Sequence, residues 1–167
     1  MVIYFSHAGE NYSVGNIEEG NTKLVADYIC ELTGAARFEI KTNKYDNMDY
    51  KTCCDVAKAE AQKGELPPYE GAVPDMSAYD TVFIGGPVWW GTYPQVMFTF
   101  FRDCDLNGKT IVPFTTHEGS GLGRCVSDLK AAYPQAKVVG EFSLYGHEVR
   151  GGKVKVERWI ENVTKRK

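Results

Sequence analysis

Apolar positions along this chain follow two rhythms. Unbroken runs, Val2-Ile3-Tyr4-Phe5, Val82-Phe83-Ile84 and Ile111-Val112-Pro113-Phe114, alternate with stretches in which apolar residues return every third or fourth position. The runs predict strands buried on both faces, and the spaced stretches predict helices with one inward stripe. The first strand ends at Ser6-His7-Ala8-Gly9. Residues 10 to 20, rich in Glu, Asn, Ser and Gly and interrupted by Tyr12, Val14 and Ile17, predict a loop. Gly20-Asn21-Thr22 then opens a helix with Leu24, Val25, Tyr28, Ile29 and Leu32 on its stripe and a stop at Gly34.

Arg37 to Lys41 alternates and predicts a second strand near an edge. Residues 50 to 64 predict a polar helix with a weak apolar stripe, and Leu66 to Pro74 is a proline-rich connection. The third strand is the run at Val82, with Asp80 before it and Gly85 and Gly86 as its expected stops. Pro94 suits the first turn of a helix that turns Val96, Met97, Phe100 and Phe101 inward. Thr110 to Thr116 is the fourth strand, in which Pro113 marks a locally unpaired position. A helix with Cys125, Val126, Leu129, Ala132 and Tyr133 inward follows. Lys137 to Tyr145 is the fifth strand, Gly146 to Gly152 a loop, and Val156, Trp159, Ile160 and Val163 the stripe of a fifth helix. Five strands alternating with five helices predict a parallel sheet with helices on both faces.

Length and composition narrow the class. The 167 residues make a single domain over 1–167 that needs no staples to bury its core. Net charge is -3, and the 19 basic residues are scattered except in the closing Lys165-Arg166-Lys167, read as a frayed end, so no nucleic-acid partner is expected. Five cysteines without CxxC spacing or a nearby His cluster predict neither a disulfide framework nor a zinc site, and fit a reducing, cytoplasmic setting. The adjacent Cys53 and Cys54 read as ordinary helix residues. The apolar runs are too short for a membrane span, and no basic region with a cleavable apolar segment opens the chain. The chain begins inside a strand, which leaves room for a short missing leader.

Candidate chemistry gathers after strands 1, 3 and 4, whose carboxyl ends meet where the winding of such a sheet reverses. The first of these loops offers Ser6 and Thr22 hydroxyls, glycines that permit close backbone approach, and the free amides of a helix start, a set suited to a phosphate. The alternative is that Ser6 merely ends the strand and Asn21 caps the helix. The third-strand loop, Pro87-Val88-Trp89-Trp90-Gly91, spends two tryptophans on a turn. They suit a planar aromatic ligand, a core plug or a partner interface, and both cannot easily point the same way. The fourth-strand loop runs through His117, Glu118, Gly119, Ser120 and Gly121 and can present backbone amides to the edge of a ring.

With these residues together, the sequence resembles the short-chain flavodoxin-like family over essentially its whole length. Ser6, Asn21 and Thr22 match the family's phosphate loop, Ser-x-x-Gly-Asn-Thr, interrupted by about ten residues between Gly9 and Gly20. Tyr4-Phe5-Ser6, Pro87 to Thr92 and Thr116 to Gly123 resemble a bacterial branch with this long first loop. The resemblance implies an α/β three-layer sandwich with a five-stranded parallel sheet of order 2-1-3-4-5. It implies FMN as cofactor, with the phosphate at Ser6, His7, Ala8, Asn21 and Thr22. The ring would lie between Pro87, Val88, Trp89, Trp90 and Gly91 on one side and Thr115, Thr116, His117, Glu118, Gly119 and Gly121 on the other. No residue is assigned as catalytic, and no metal ligand is expected. Trp90 is the expected ring contact because Gly91 follows it.

Electron transport to a redox partner protein or a small-molecule electron acceptor follows from that resemblance. Electron carriers of the family are usually strongly acidic and often carry an acid after the glycine of the ring-binding turn, whereas Thr92 stands here. An NAD(P)H-dependent FMN or quinone oxidoreductase on the same fold is therefore the alternative. A dinucleotide-binding domain is disfavoured because Gly119, Gly121 and Gly123 give GxGxG rather than GxGxxG. A hydrolase at Ser120 lacks GxSxG, and a flavin-free binding module is the remaining alternative.

Overall fold

The computed structural model describes residues 1–165; the last two residues of the basic tail, Arg166 and Lys167, lie outside the described residues. In chain order the elements are β1 (Val2–Tyr4), β2 (Gly9–Asn11), β3 (Gly15–Ile17), α1 (Asn21–Thr33), β4 (Arg37–Glu39), α2 (Tyr50–Lys63) and β5 (Thr81–Pro87). They continue as α3 (Gln95–Asp103), β6 (Thr110–His117), α4 (Cys125–Ala132), β7 (Lys137–Val138), β8 (Phe142–Tyr145), a 3₁₀ helix (Gly146–Gly151) and α5 (Lys153–Lys165). The main sheet runs β4-β1-β5-β6-β7 with β8 also beside β6, and all its pairs are parallel. This is the predicted 2-1-3-4-5 order, with the fifth strand in two pieces.

Side-chain alternation in the strands divides the core. Val2 and Tyr4 face a cluster with Val25 and Ile29 of α1 and Val156 and Ile160 of α5. Ile3 and Phe5 face the opposite cluster, built with Cys53 of α2, Phe100 of α3 and Leu129 of α4. Helices therefore cover both faces, and the central strands are hydrophobic throughout for that reason.

Gly85 and Gly86 do not stop the third strand, which continues to Pro87. Their role is clearance: a Cβ on Gly85 would lie 2.0 Å from the Phe114 ring, and one on Gly86 would lie 2.5 Å from Met97 Sδ. Tyr93 also crosses here, its hydroxyl shared between the carbonyls of Ile84 and Phe114 at 3.1 and 3.0 Å. Pro113 pairs in register with Ile84. Since Thr110 donates toward the β5 side, alternation turns the Pro113 nitrogen outward, where β7 has ended and β8 has not begun. The missing donor thus falls at a real gap.

That gap corrects the single strand expected over 137–145. Gly140 has φ +67°, and Trp159 of α5 donates its indole N–H to the Gly140 carbonyl at 2.6 Å. The left-handed backbone at Gly140 turns the chain off the strand path and the indole bond ties that turn to α5, so the lane breaks and resumes at Phe142. Two expected loops are also ordered. Residues 146–151 form the 3₁₀ helix, and within 10–20 the chain pairs as an antiparallel hairpin, Glu10 opposite Asn16.

Helix α2 buries Cys53, Ala57 and Glu60, which explains its weak apolar stripe. A buried unpaired carboxylate would cost several kcal/mol. Here Tyr45 donates to Glu60 Oε2 at 2.7 Å and Lys44 Nζ lies 2.5 Å from Oε1, so a polar side chain occupies a core position with its charge compensated. Asp49 caps the helix by accepting from the Thr52 N–H at 2.7 Å.

Candidate functional site

The carboxyl ends of β1, β5 and β6 open into a cleft of about 410 Å³, within the range of small-molecule sites. His7, Asn21 and Thr22 bring the first loop to it, Pro87, Val88, Trp89, Trp90 and Gly91 the second, and Thr116, His117 and Glu118 the third. Ser6 and Ala8 lie outside this lining and border a neighbouring hollow that His7 shares. Ser6 instead accepts the Lys23 N–H at 3.0 Å, so it caps the start of α1 from a distance. Gly20, and not Asn21, occupies the N-cap position itself.

Close packing joins the three loops. Gly20 passes so near the first loop that a Cβ there would lie 2.1 Å from Ser6 Oγ and 2.8 Å from the His7 carbonyl oxygen. The Thr22 and Thr116 hydroxyls hydrogen-bond at 2.7 Å in the interior. Val88 donates to the Thr116 carbonyl at 3.2 Å, and Arg124 donates to the Gly91 carbonyl at 2.7 Å.

The two tryptophans take different positions. Trp89 packs edge-on against Phe5, His7 and Tyr45, with ring centroids 5.4, 5.6 and 5.0 Å away. Trp90 is 49% exposed and adopts φ +55°, a conformation that costs a bulky residue about 1–2 kcal/mol. It is held there by donating its indole N–H to the Cys54 carbonyl at 3.0 Å, with Lys58 Nζ 5.1 Å from the ring centre. Thr92 is buried and donates to Asp128 at 2.5 Å. An acid at this position would confront that carboxylate.

The fourth-strand loop is arranged by hydrogen bonds. Gly119 donates to His117 Nδ1 at 2.9 Å, so the neutral imidazole carries its proton on Nε2. Thr115 is buried beneath the loop and donates to the Gly121 carbonyl at 2.8 Å. Thr115, Gly119 and Gly121 therefore shape the loop and do not line the cleft. Glu118 reaches sideways to the 3₁₀ helix, accepting from the His147 N–H at 2.8 Å and meeting His147 Nδ1 at 2.5 Å.

Sequence reasoning missed a fourth wall. Glu10, Asn11 and Tyr12 of the hairpin and Tyr50, Cys53, Cys54 and Ala57 of α2 line the same cleft. Glu10 accepts from the first-turn N–H of Tyr50 at 2.6 Å, and the Tyr12 and Tyr50 rings lie 5.9 Å apart. Tyr12, an aromatic side chain in a loop rich in Glu, Asn, Ser and Gly, was the available signal.

Burial lowers the pKa of His7, against an opposing pull from Asp46. It also lowers that of His117, against Glu118 and Glu148. A histidine held below its ordinary value of 6.5 favours the neutral fold, so the unfolded chain takes up more protons as pH drops below that value. Stability is accordingly full above about pH 6.5 and declines as pH falls toward the folded-state values. Urea midpoints are expected to drop between pH 7.5 and 5.5, with a smaller drop in His7→Gln.

Among the described residues no three His, Cys, Asp or Glu side chains group as metal ligands, and no helix is long and apolar enough to cross a membrane. The five cysteines are free thiols. A parallel sheet in this order, with its cleft at the switch point, defines a flavodoxin-like fold. The chain belongs to the flavodoxin family, whose sequence model, described as Flavodoxin, matches residues 2–163.

Solved structures agree in fold. A protein from Bacteroides uniformis ATCC 8492 assigned as a flavoprotein superposes with a TM-score of 0.74 at 25% identity, over 96% of each chain. A Bacteroides eggerthii DSM 20697 protein with the same assignment gives 0.68 at 23% identity, over 98% of this chain and 96% of its own. A flavoprotein from Lactobacillus acidophilus NCFM, in complex with FMN, gives 0.66 at 22% identity, over 90% and 95%. No curated protein matches the chain.

Proposed function

We propose that the cleft binds FMN and that the protein carries electrons through it to a redox partner protein in a reducing cytosol. The observation that carries this reading is the convergence of the three loops after β1, β5 and β6 on one cleft. Family membership and the L. acidophilus relative in complex with FMN support it.

The residues fit the group. The amides at the start of α1 and the Thr22 hydroxyl suit a phosphate, and Gly20 is the close approach that keeps them beside the first loop. His7 has a buried Nε2 without a hydrogen-bond partner and lines the cleft, so it offers an orphaned polar atom to a ligand. Trp90, exposed at the mouth, is the proposed ring contact, and Trp89 packs beneath the loop. FMN supplies one- and two-electron chemistry when bound; the protein binds it, orients it and limits water. His117 presents a proton on Nε2 at the cleft wall.

A reductase reading draws on one observation: Tyr12, Tyr50 and Trp90 are exposed aromatic side chains that line the same cleft, a surface suited to a small planar acceptor. FMN titration followed by flavin fluorescence tests the common ground, with saturation at one FMN per chain expected and no quenching counting against it. Steady-state NADPH oxidation with a quinone then separates the two readings, since turnover would favour the reductase.

A further inference from the structure

The fourth wall of the cleft is built differently from the three loops. Among the described residues the exposed large apolar side chains are Tyr12, Tyr50, Leu66, Trp90, Tyr145 and Val154, and Tyr12, Tyr50 and Trp90 line this one cleft. Aromatic rings left in water cost free energy, so their gathering at one opening marks a surface that is covered in use. Trp90 belongs to the loop assigned to the flavin ring. Tyr12 and Tyr50 belong to the hairpin and α2, and their rings lie 5.9 Å apart with planes 32° from parallel, a broad face for a second flat ring.

Both tyrosines are anchored through the backbone. Asn11 donates to the His7 and Gly9 carbonyls, each at 3.1 Å, which sets the hairpin on the first loop. Glu10 Oε2 accepts the Tyr50 N–H at 2.6 Å, which ties the hairpin to the start of α2. The charge on Glu10 has no counterion in the lining, because no lysine or arginine lines the cleft. Lys58, 5.1 Å from the Trp90 ring centre, stands outside it. Glu118, the other lining carboxylate, is engaged by His147, and burial favours the neutral forms of His7 and His117. This wall is therefore aromatic and negative, a character that accepts uncharged or cationic rings and repels anions.

We propose that Tyr12 and Tyr50 form a subsite for a planar aromatic electron acceptor without negative charge, and that Glu10 sets its selectivity against anionic acceptors. This rests on the FMN reading above and names the acceptor class for its reductase form. Tyr12 and Tyr50 supply the stacking face, and Glu10 both ties the hairpin to α2 and places its charge beside that face.

The test is equilibrium dialysis of the FMN-loaded protein against duroquinone, which is uncharged, and anthraquinone-2-sulfonate, which is anionic. Neither ring has an open quinone position for thiol addition, which matters because Cys53 and Cys54 line the cleft as free thiols. Wild type is expected to bind duroquinone the more tightly. Tyr12→Ala is expected to weaken duroquinone about tenfold, the scale of one lost aromatic contact, with FMN affinity retained, and Tyr12→Phe to bind as wild type does. Glu10→Gln, whose amide oxygen can still accept the Tyr50 N–H, is expected to strengthen the sulfonate about threefold at low salt, the scale of one exposed charge, and to leave duroquinone unchanged. Unaltered duroquinone binding in Tyr12→Ala, a parallel loss of FMN in that variant, or a sulfonate affinity indifferent to Glu10→Gln would overturn the assignment. A wild-type protein that takes up no FMN would overturn the FMN reading itself.

Discussion

Gly123→Ala is expected to lower stability by about 2–5 kcal/mol and to leave a protein that does not retain flavin. Two independent penalties act there. Gly123 has φ +48°, and a Cβ would lie 2.3 Å from the Gly91 carbonyl oxygen. That same oxygen accepts from the Arg124 N–H at 2.7 Å, so the added methyl pushes apart the tryptophan loop and the loop after β6. Gly121→Ala is the internal control. It has φ +60° but nothing within 4 Å of its Cβ position, so only the conformational penalty of about 1–2 kcal/mol is expected. Urea denaturation of the two variants separates strain from clash.

Gly20→Ala should act at the other end of the cleft. Gly20 has an ordinary φ of -62°, so the effect is steric: the methyl displaces Ser6 Oγ and presses on the His7 carbonyl. About 1–3 kcal/mol of stability should be lost, and FMN affinity should fall by more than tenfold as the first loop leaves the start of α1. Removing the hydroxyl with Gly20→Ala/Ser6→Gly should recover only part of this, because the backbone contact to His7 remains. Full recovery would show that the serine alone sets the approach.

These glycines show where local sequence is silent. The strand runs at Val2, Val82 and Ile111 were legible because burial on both faces leaves a composition signature, and the helix stripes because period 3.6 does. Gly85 and Gly86 looked like strand stops because glycine usually punctuates. Their actual reason, clearance for Phe114, Tyr93 and Met97, lies in residues distant in sequence or on the next helix. The hairpin within residues 10–20 was hidden because its tie to the rest of the fold is tertiary, Glu10 on the first turn of α2, and its local support is a side chain, Asn11, donating to the His7 and Gly9 carbonyls.

The site was legible as loops and less so as walls. The tryptophan turn, His117, Glu118, Asn21 and Thr22 all reach the cleft, because topology alone brings the ends of β1, β5 and β6 together. The contribution of α2 was obscured by Glu60, a charged residue in a core position that weakens the apolar stripe. Thr92, noted as a departure from acidic carriers, now has a local reason in its hydrogen bond to Asp128. Its presence therefore says little about partner charge.

The most direct test of the whole account is the visible absorption spectrum of the purified protein, read with the mass of any ligand released on denaturation. Bound FMN at one equivalent per chain, or its stoichiometric uptake by the colourless protein, is the predicted result. A colourless protein that takes up no FMN at saturating concentration would contradict the assignment of the cleft.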